Sequence, residues 1–219
     1  MFGALALKAS GTVNAVAPSG AATLVNTGGS TGFTTVPNIT FPTTPAASNL
    51  LVVTVFAPSG ATPLATPTGW TQIDGSGQST SRPQQVFKRI ADGTETAFSV
   101  NYSGSNASWG VMYSEWHGAT NIAPITGTAV NSGTSTPTLG PSAAPPAVNA
   151  LPLFFSVARN ATGKIASVPT GWTLPRADNT VYVPILTYMQ APPNAAVSET
   201  VTLTQTTNNF YQWASTWIY

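Results

Sequence analysis

Cysteine is absent from the chain, which excludes disulfides, thiolate metal sites and cysteine nucleophiles together. Charge is scarce: seven Lys or Arg and six Asp or Glu make up 6% of the residues, against roughly 25% in an ordinary soluble domain. The formal net charge of +1 provides no basic stripe for nucleic acid and no polybasic segment for anionic lipid. No apolar run approaches the roughly 18 residues that span a bilayer. Met1 to Leu7 is apolar, but it has no positive leading region and Lys8 interrupts it, so it reads as part of the mature chain. Helix formers are few beside 19 Gly and 19 Pro, which excludes a helical bundle. A surface so poor in charge must stay soluble through Ser, Thr, Asn and Gln, or be hidden in an assembly.

What the chain does contain is a repeat. Pro67-Thr68-Gly69-Trp70-Thr71 returns as Pro169-Thr170-Gly171-Trp172-Thr173. The flanks repeat as well. An Asn-led apolar run precedes each copy, Asn49 to Phe56 in one and Asn149 to Val157 in the other, and a tryptophan-rich run follows, with Trp109 and Trp116 answered by Trp213 and Trp217. An offset that stays near one hundred residues indicates an internal duplication, with both halves on one plan.

Short strand signals separated by Pro and Gly turns fill both halves. Strands are expected at 35–41, 49–57, 70–74, 84–91, 96–102 and 108–117, then at 136–139, 150–158, 172–176, 181–190, 197–205 and 210–219. With no helical pattern between them, the expected fold is all-β: duplicated β-sandwich or jelly-roll-like halves over 35–120 and 121–219. The run from Leu50 to Phe56 is apolar on both faces and belongs at the centre of a sheet, whereas Pro152 should push its counterpart to an edge or a bulge. Residues 1–34 hold few large apolar groups and read as an extended N-terminal arm, laid along its own sandwich or, as an assembly component would have it, held by a neighbouring subunit.

The repeated motif has a structural reading and a functional one. Pro67 and Pro169 fix φ before a turn, Gly69 and Gly171 permit a backbone conformation that other residues avoid, and Trp70 and Trp172 supply rigid apolar bodies that plug one end of a sandwich. Alternatively the two tryptophans are exposed platforms for a ligand. Trp109, Trp116, Trp213 and Trp217 are the further candidates for ligand or interface aromatics.

The order of an Asn-led strand, a PTGWT corner, the run Val86-Phe87-Lys88-Arg89-Ile90-Ala91-Asp92-Gly93-Thr94-Glu95 and the run Tyr113-Ser114-Glu115-Trp116-His117-Gly118 resembles a recurrent β-sandwich module. That module, with a Pro-x-Gly-Trp corner in each half, occurs in tailed-bacteriophage virion proteins and in some bacterial surface proteins. The likeness covers residues 35–219, with Pro124-Ile125 after the first half and the second corner at Pro169 to Thr173. It departs from the usual form at His117, and it is architectural rather than catalytic.

Catalytic patterns are thin. Gly28-Gly29-Ser30-Thr31-Gly32 matches a nucleophile elbow by spelling but lies in the arm, without the strand before it and helix after it that the chemistry needs. Glu115 and His117 alternate along one strand and share a face, yet no third metal ligand stands near them in sequence. The expected protein is therefore not an enzyme and needs no cofactor or metal. The resemblance implies a virion structural protein assembled in the host cytoplasm, first of all a capsid decoration or cement protein. Its partners would be the major capsid protein or other virion proteins, and sister copies in a homo-oligomer. A tail or fibre component, or an adhesive module that binds glycans, is the alternative.

Overall fold

The structure, a computed structural model, describes residues 21–34, 36–56, 65–73, 84–102, 107–132, 138–139, 144–159, 164–167, 170–177, 182–189, 199–200, 202–204 and 210–219. The described residues are all-β. The strands in the first half are β1 (Thr23–Thr34), β2 (Asn38–Thr40), β3 (Leu50–Phe56), β4 (Thr71–Gln72), β5 (Gln84–Ile90), β6 (Ala97–Ser99) and β7 (Ala107–His117). Those in the second are β8 (Thr126–Ser132), β9 (Thr138–Leu139), β10 (Leu151–Arg159), β11 (Lys164–Ser167), β12 (Trp172–Ala177), β13 (Tyr182–Met189), β14 (Glu199–Thr200), β15 (Thr202–Thr204) and β16 (Phe210–Ile218).

Every strand pairing among the described residues is antiparallel. One five-stranded sheet runs β1-β7-β3-β5-β4, and another, taken from its far edge, runs β8-β16-β10-β13-β12. Position by position, the strands of the two sheets begin at residues 23 and 126, 107 and 210, 50 and 151, 84 and 182, and 71 and 172. The small pairs β2-β6 and β9-β14 stand in the same relation, beginning at 38 and 138 and at 97 and 199. The pair β11-β15 has no such counterpart among the described residues.

Why β3 is central follows from its two apolar faces. All seven of its residues are buried, and it lies between β7 and β5. Leu50, Val52 and Phe56 face one way and join Val86, Met112 and Trp116 with Leu151, Leu153, Phe155 and Ile218 of the other sheet in one core. Leu51, Val53 and Val55 face the other way, where Phe87, Val111 and Tyr113 meet Ile39, Phe41, Phe98 and Val100 from the β2-β6 side. The first sheet is thus covered on both faces, by the second sheet and by the β2-β6 layer. Thr54 and Gln84 carry buried side-chain polar atoms with no hydrogen-bond partner, and nothing in the structure explains them.

Of the two courses open to the N-terminal arm, residues 23–34 follow the first and lie along their own sandwich: they form β1, paired with β7 from Thr23↔His117 to Thr34↔Ala107. Backbone hydrogen bonding replaces the missing apolar groups, helped by Ala22 in the core and Leu24 packed against it, while a bulge at Val25 turns that side chain outward. Residues 1–20 lie outside the described residues. One expectation meets a different outcome: Pro152 does not displace its strand to an edge, since β10 is central between β13 and β16. It pairs with Trp217 of β16, and the β13 ladder starts only at Leu153↔Tyr188, so the missing N–H falls where one neighbour has not yet begun.

Candidate functional site

The Pro67 to Trp70 corner is a β-turn in which the Trp70 N–H donates to the Pro67 oxygen at 3.0 Å. Its third residue, Gly69, has φ +80°, and Gly171 in the second copy has φ +88°, a region that side chains oppose. Trp70 is half-buried and meets Phe98 edge-on at 4.9 Å. Trp172 is buried, and Pro169 lies outside the described residues. The other aromatic candidates go inward: Trp109 is 3% exposed, Trp116 0% and Trp217 2%. No ring face of these three is open to a ligand, so as ligand aromatics they are set aside and stand as core residues. The side chain of Trp213 lies outside the described set.

At the end of the first sheet, polar side chains distant in sequence converge. Glu115 is buried, and its carboxylate accepts from the Ala46 N–H at 2.9 Å, the Asn49 amide at 2.7 Å and the Tyr113 hydroxyl at 3.0 Å. His117 Nδ1 lies 3.2 Å from the Asn49 side-chain oxygen. Burial, then the neighbouring Glu115 carboxylate, pushes the Tyr113 phenol far up from its ordinary range. Glu115 therefore staples the entry of β3 to β7, which explains why the apolar run is led by Asn.

Beside it, the loop after β5 is closed by its own charges. Glu95 accepts from the Asp92 and Gly93 N–H groups at 2.9 and 3.2 Å and pairs with Arg89 Nε at 2.8 Å. Arg89 also bridges Asp92. The Thr94 hydroxyl and N–H, followed by Arg89, hold the Asp92 carboxyl below its usual range. Among the described residues, no group of three or more His, Asp or Glu is placed to hold a metal ion. Ser30 sits mid-strand in β1 opposite Val111, which is not the strand-to-helix turn of a nucleophile elbow.

A groove of about 280 Å³ lies on the far side of the first sheet, lined by Thr71, Gln72, Ile73, Lys88, Asn121, Ile122, Pro124 and Tyr219. The β4-β5 ladder places Thr71 opposite Lys88. The segment from Ala119 to Ile125, between β7 and β8, is laced to the end of β16: the Thr120 and Asn121 N–H groups donate to the Tyr219 oxygen at 2.8 Å, and the Tyr219 N–H returns to Asn121 at 3.0 Å. Lys88 Nζ donates to the Asn121 side-chain oxygen, and the Asn121 amide donates to the Tyr219 hydroxyl at 3.0 Å.

Sequence reading placed Glu115 and His117 on one strand, and the structure joins them through Asn49. It did not find the Lys88, Asn121 and Tyr219 trio, whose members are 33 and 98 residues apart and form no motif. No protein-family model matches this chain, and no curated protein or solved structure matches it.

Proposed function

We propose that this protein is a non-enzymatic structural component of a tailed-bacteriophage virion, first of all a decoration protein on the head, built from two duplicated β-sandwich halves. The duplication reading rests on the PTGWT repeat and on matching strand orders in the two five-stranded sheets. Assembly as the role rests on one observation above the rest. Each of the five charged residues whose side chains are described is engaged within the fold: Arg89 with Asp92 and Glu95, Glu115 with Asn49 and Tyr113, and Lys88 with Asn121. The charge among the described side chains thus serves contacts within the fold, and a surface poor in charge favours close packing against other protein. The uncharged strand β1 at the end of its sheet adds backbone groups of the kind that pair between subunits.

The experiment is to locate the protein in purified particles by mass spectrometry and electron microscopy, with light scattering on the free protein. Stoichiometric occupancy on the head carries the reading. Occupancy on the tail moves it to the tail or fibre alternative, and absence from particles together with a monodisperse monomer overturns it.

A further inference from the structure

The groove beside β4 holds a cation with unused capacity. Among the described residues, Lys88 has one polar partner, the neutral Asn121 side-chain oxygen, and the ion pairs of the first sheet belong to Arg89 instead. An ammonium carries three donors, so two remain for a ligand. The Tyr219 hydroxyl already accepts from Asn121 and keeps its own proton to donate. Thr71 is exposed and Gln72 half-exposed, which adds a hydroxyl and an amide at the same wall, while Ile122 and Pro124 give an apolar strip and Tyr219 a ring.

Taken together, these groups have the chemistry of sugar recognition. Hydroxyl-rich rings want amides and hydroxyls at their edges and an aromatic or apolar face beneath them, in a groove that leaves them partly hydrated. A neutral sugar would leave the Lys88 ammonium without a charge partner among the described residues. A carboxylate on the sugar would supply one through charge-assisted hydrogen bonds. We infer that the groove formed by Thr71, Gln72, Lys88, Asn121 and Tyr219 binds a saccharide bearing a carboxylate, with Lys88 taking the acid group and Tyr219 the ring. Asn121 is the positioning residue, since it holds both Lys88 and Tyr219. The inference does not depend on the virion reading.

The test is a titration of the isotope-labelled full chain, followed by amide and side-chain NMR shifts, with a glucuronate-ended disaccharide, its glucose-ended analogue and acetate as probes. The expected result is saturable movement of Thr71, Gln72, Lys88 and Asn121 with the glucuronate probe, at least about tenfold weaker binding of the glucose analogue, and no comparable binding of acetate. Lys88→Met should erase the preference for glucuronate, and Lys88→Arg should retain it, with unchanged melting of both variants confirming the fold. No shift at these residues with either sugar overturns the site. Acetate binding as tightly as glucuronate overturns the saccharide class, and a glucuronate preference that survives Lys88→Met in the folded variant overturns the role of Lys88.

Discussion

Trp70 shows how a corner residue divides its duties. Its ring packs edge-on against Phe98, and Phe98 in turn touches Phe87 at 5.3 Å, so removing the indole loosens one end of the β2-β6 core. Because Trp70 is half-buried, Trp70→Ala is expected to cost about 2 to 3 kcal/mol, below the roughly 3 to 5 kcal/mol of a fully buried aromatic. A thermal melt left unchanged by the substitution would return Trp70 to the platform reading. Tyr102 and Tyr113 give a second residue-scale expectation. Both would titrate near pH 10.0 in an unfolded chain, but burial raises both in the fold. A raised folded pKa means that the stabilisation is fully present below the unfolded value and is lost as the pH rises toward the folded one. Each phenol contributes a slope that develops around pH 10.0 and reaches about 1.4 kcal/mol per pH unit only above it, so the pair should lower stability by about 2.5 to 3 kcal/mol between pH 9 and 11. Denaturant midpoints across that range, with Tyr102→Phe removing about half of the slope, check it. A flat profile to pH 11 would contradict the burial.

Among the elements, β1 separates what sequence can and cannot announce. The strands β3, β5, β7, β10, β12, β13 and β16 were legible because their apolar runs are long or alternate and because Pro and Gly turns bound them. The β1, β8 and β11 segments were not. Thr23–Thr34 contains four Gly or Ser in TLVNTGGSTGFT, which break the apolar alternation that would mark a strand, and its order comes from the ladder that β7 offers. Composition cannot report such a partner, which is itself folded elsewhere in the chain. The candidate groove was hidden for the same reason, since Lys88, Asn121 and Tyr219 meet only after both sheets are in place. A chain lacking residues 1–34 should therefore not behave as a sandwich freed of an arm. It exposes the β7 edge along Ala107–His117 and strips Ala22 and Leu24 from the core, and a long unpaired edge invites association. The expected result is a melting temperature lower by several degrees together with higher-order species in light scattering. A truncated chain that melts like the full one as a monomer would restore the arm reading.

At the scale of the whole molecule, the first half owns one core, under its β2-β6 layer, and shares another with the second half. Leu50, Val52, Met112 and Trp116 of the first sheet pack with Leu151, Leu153, Phe155 and Ile218 of the second, and β7 and β13 meet across that space. The joining segment adds polar ties, through the Ile122↔Ile218 bridge and the Ala123 N–H to Trp217 oxygen bond at 2.8 Å. Strand orders that match position by position give both sheets the same inner face, apolar in each, so each acts as the lid that the other requires. A half expressed alone would leave that contiguous apolar face to water, the kind of patch that monomers rarely expose. Residues 1–125 by themselves should accordingly pair with a second copy, the sheet of one chain covering the sheet of the other, or precipitate. Adding residues 119–219 in trans should yield a soluble one-to-one complex in size-exclusion light scattering, because the native lid also restores the hydrogen bonds between Asn121 and Tyr219. A half that stays monomeric and unfolds cooperatively on its own would refute the shared core and make the halves independent domains.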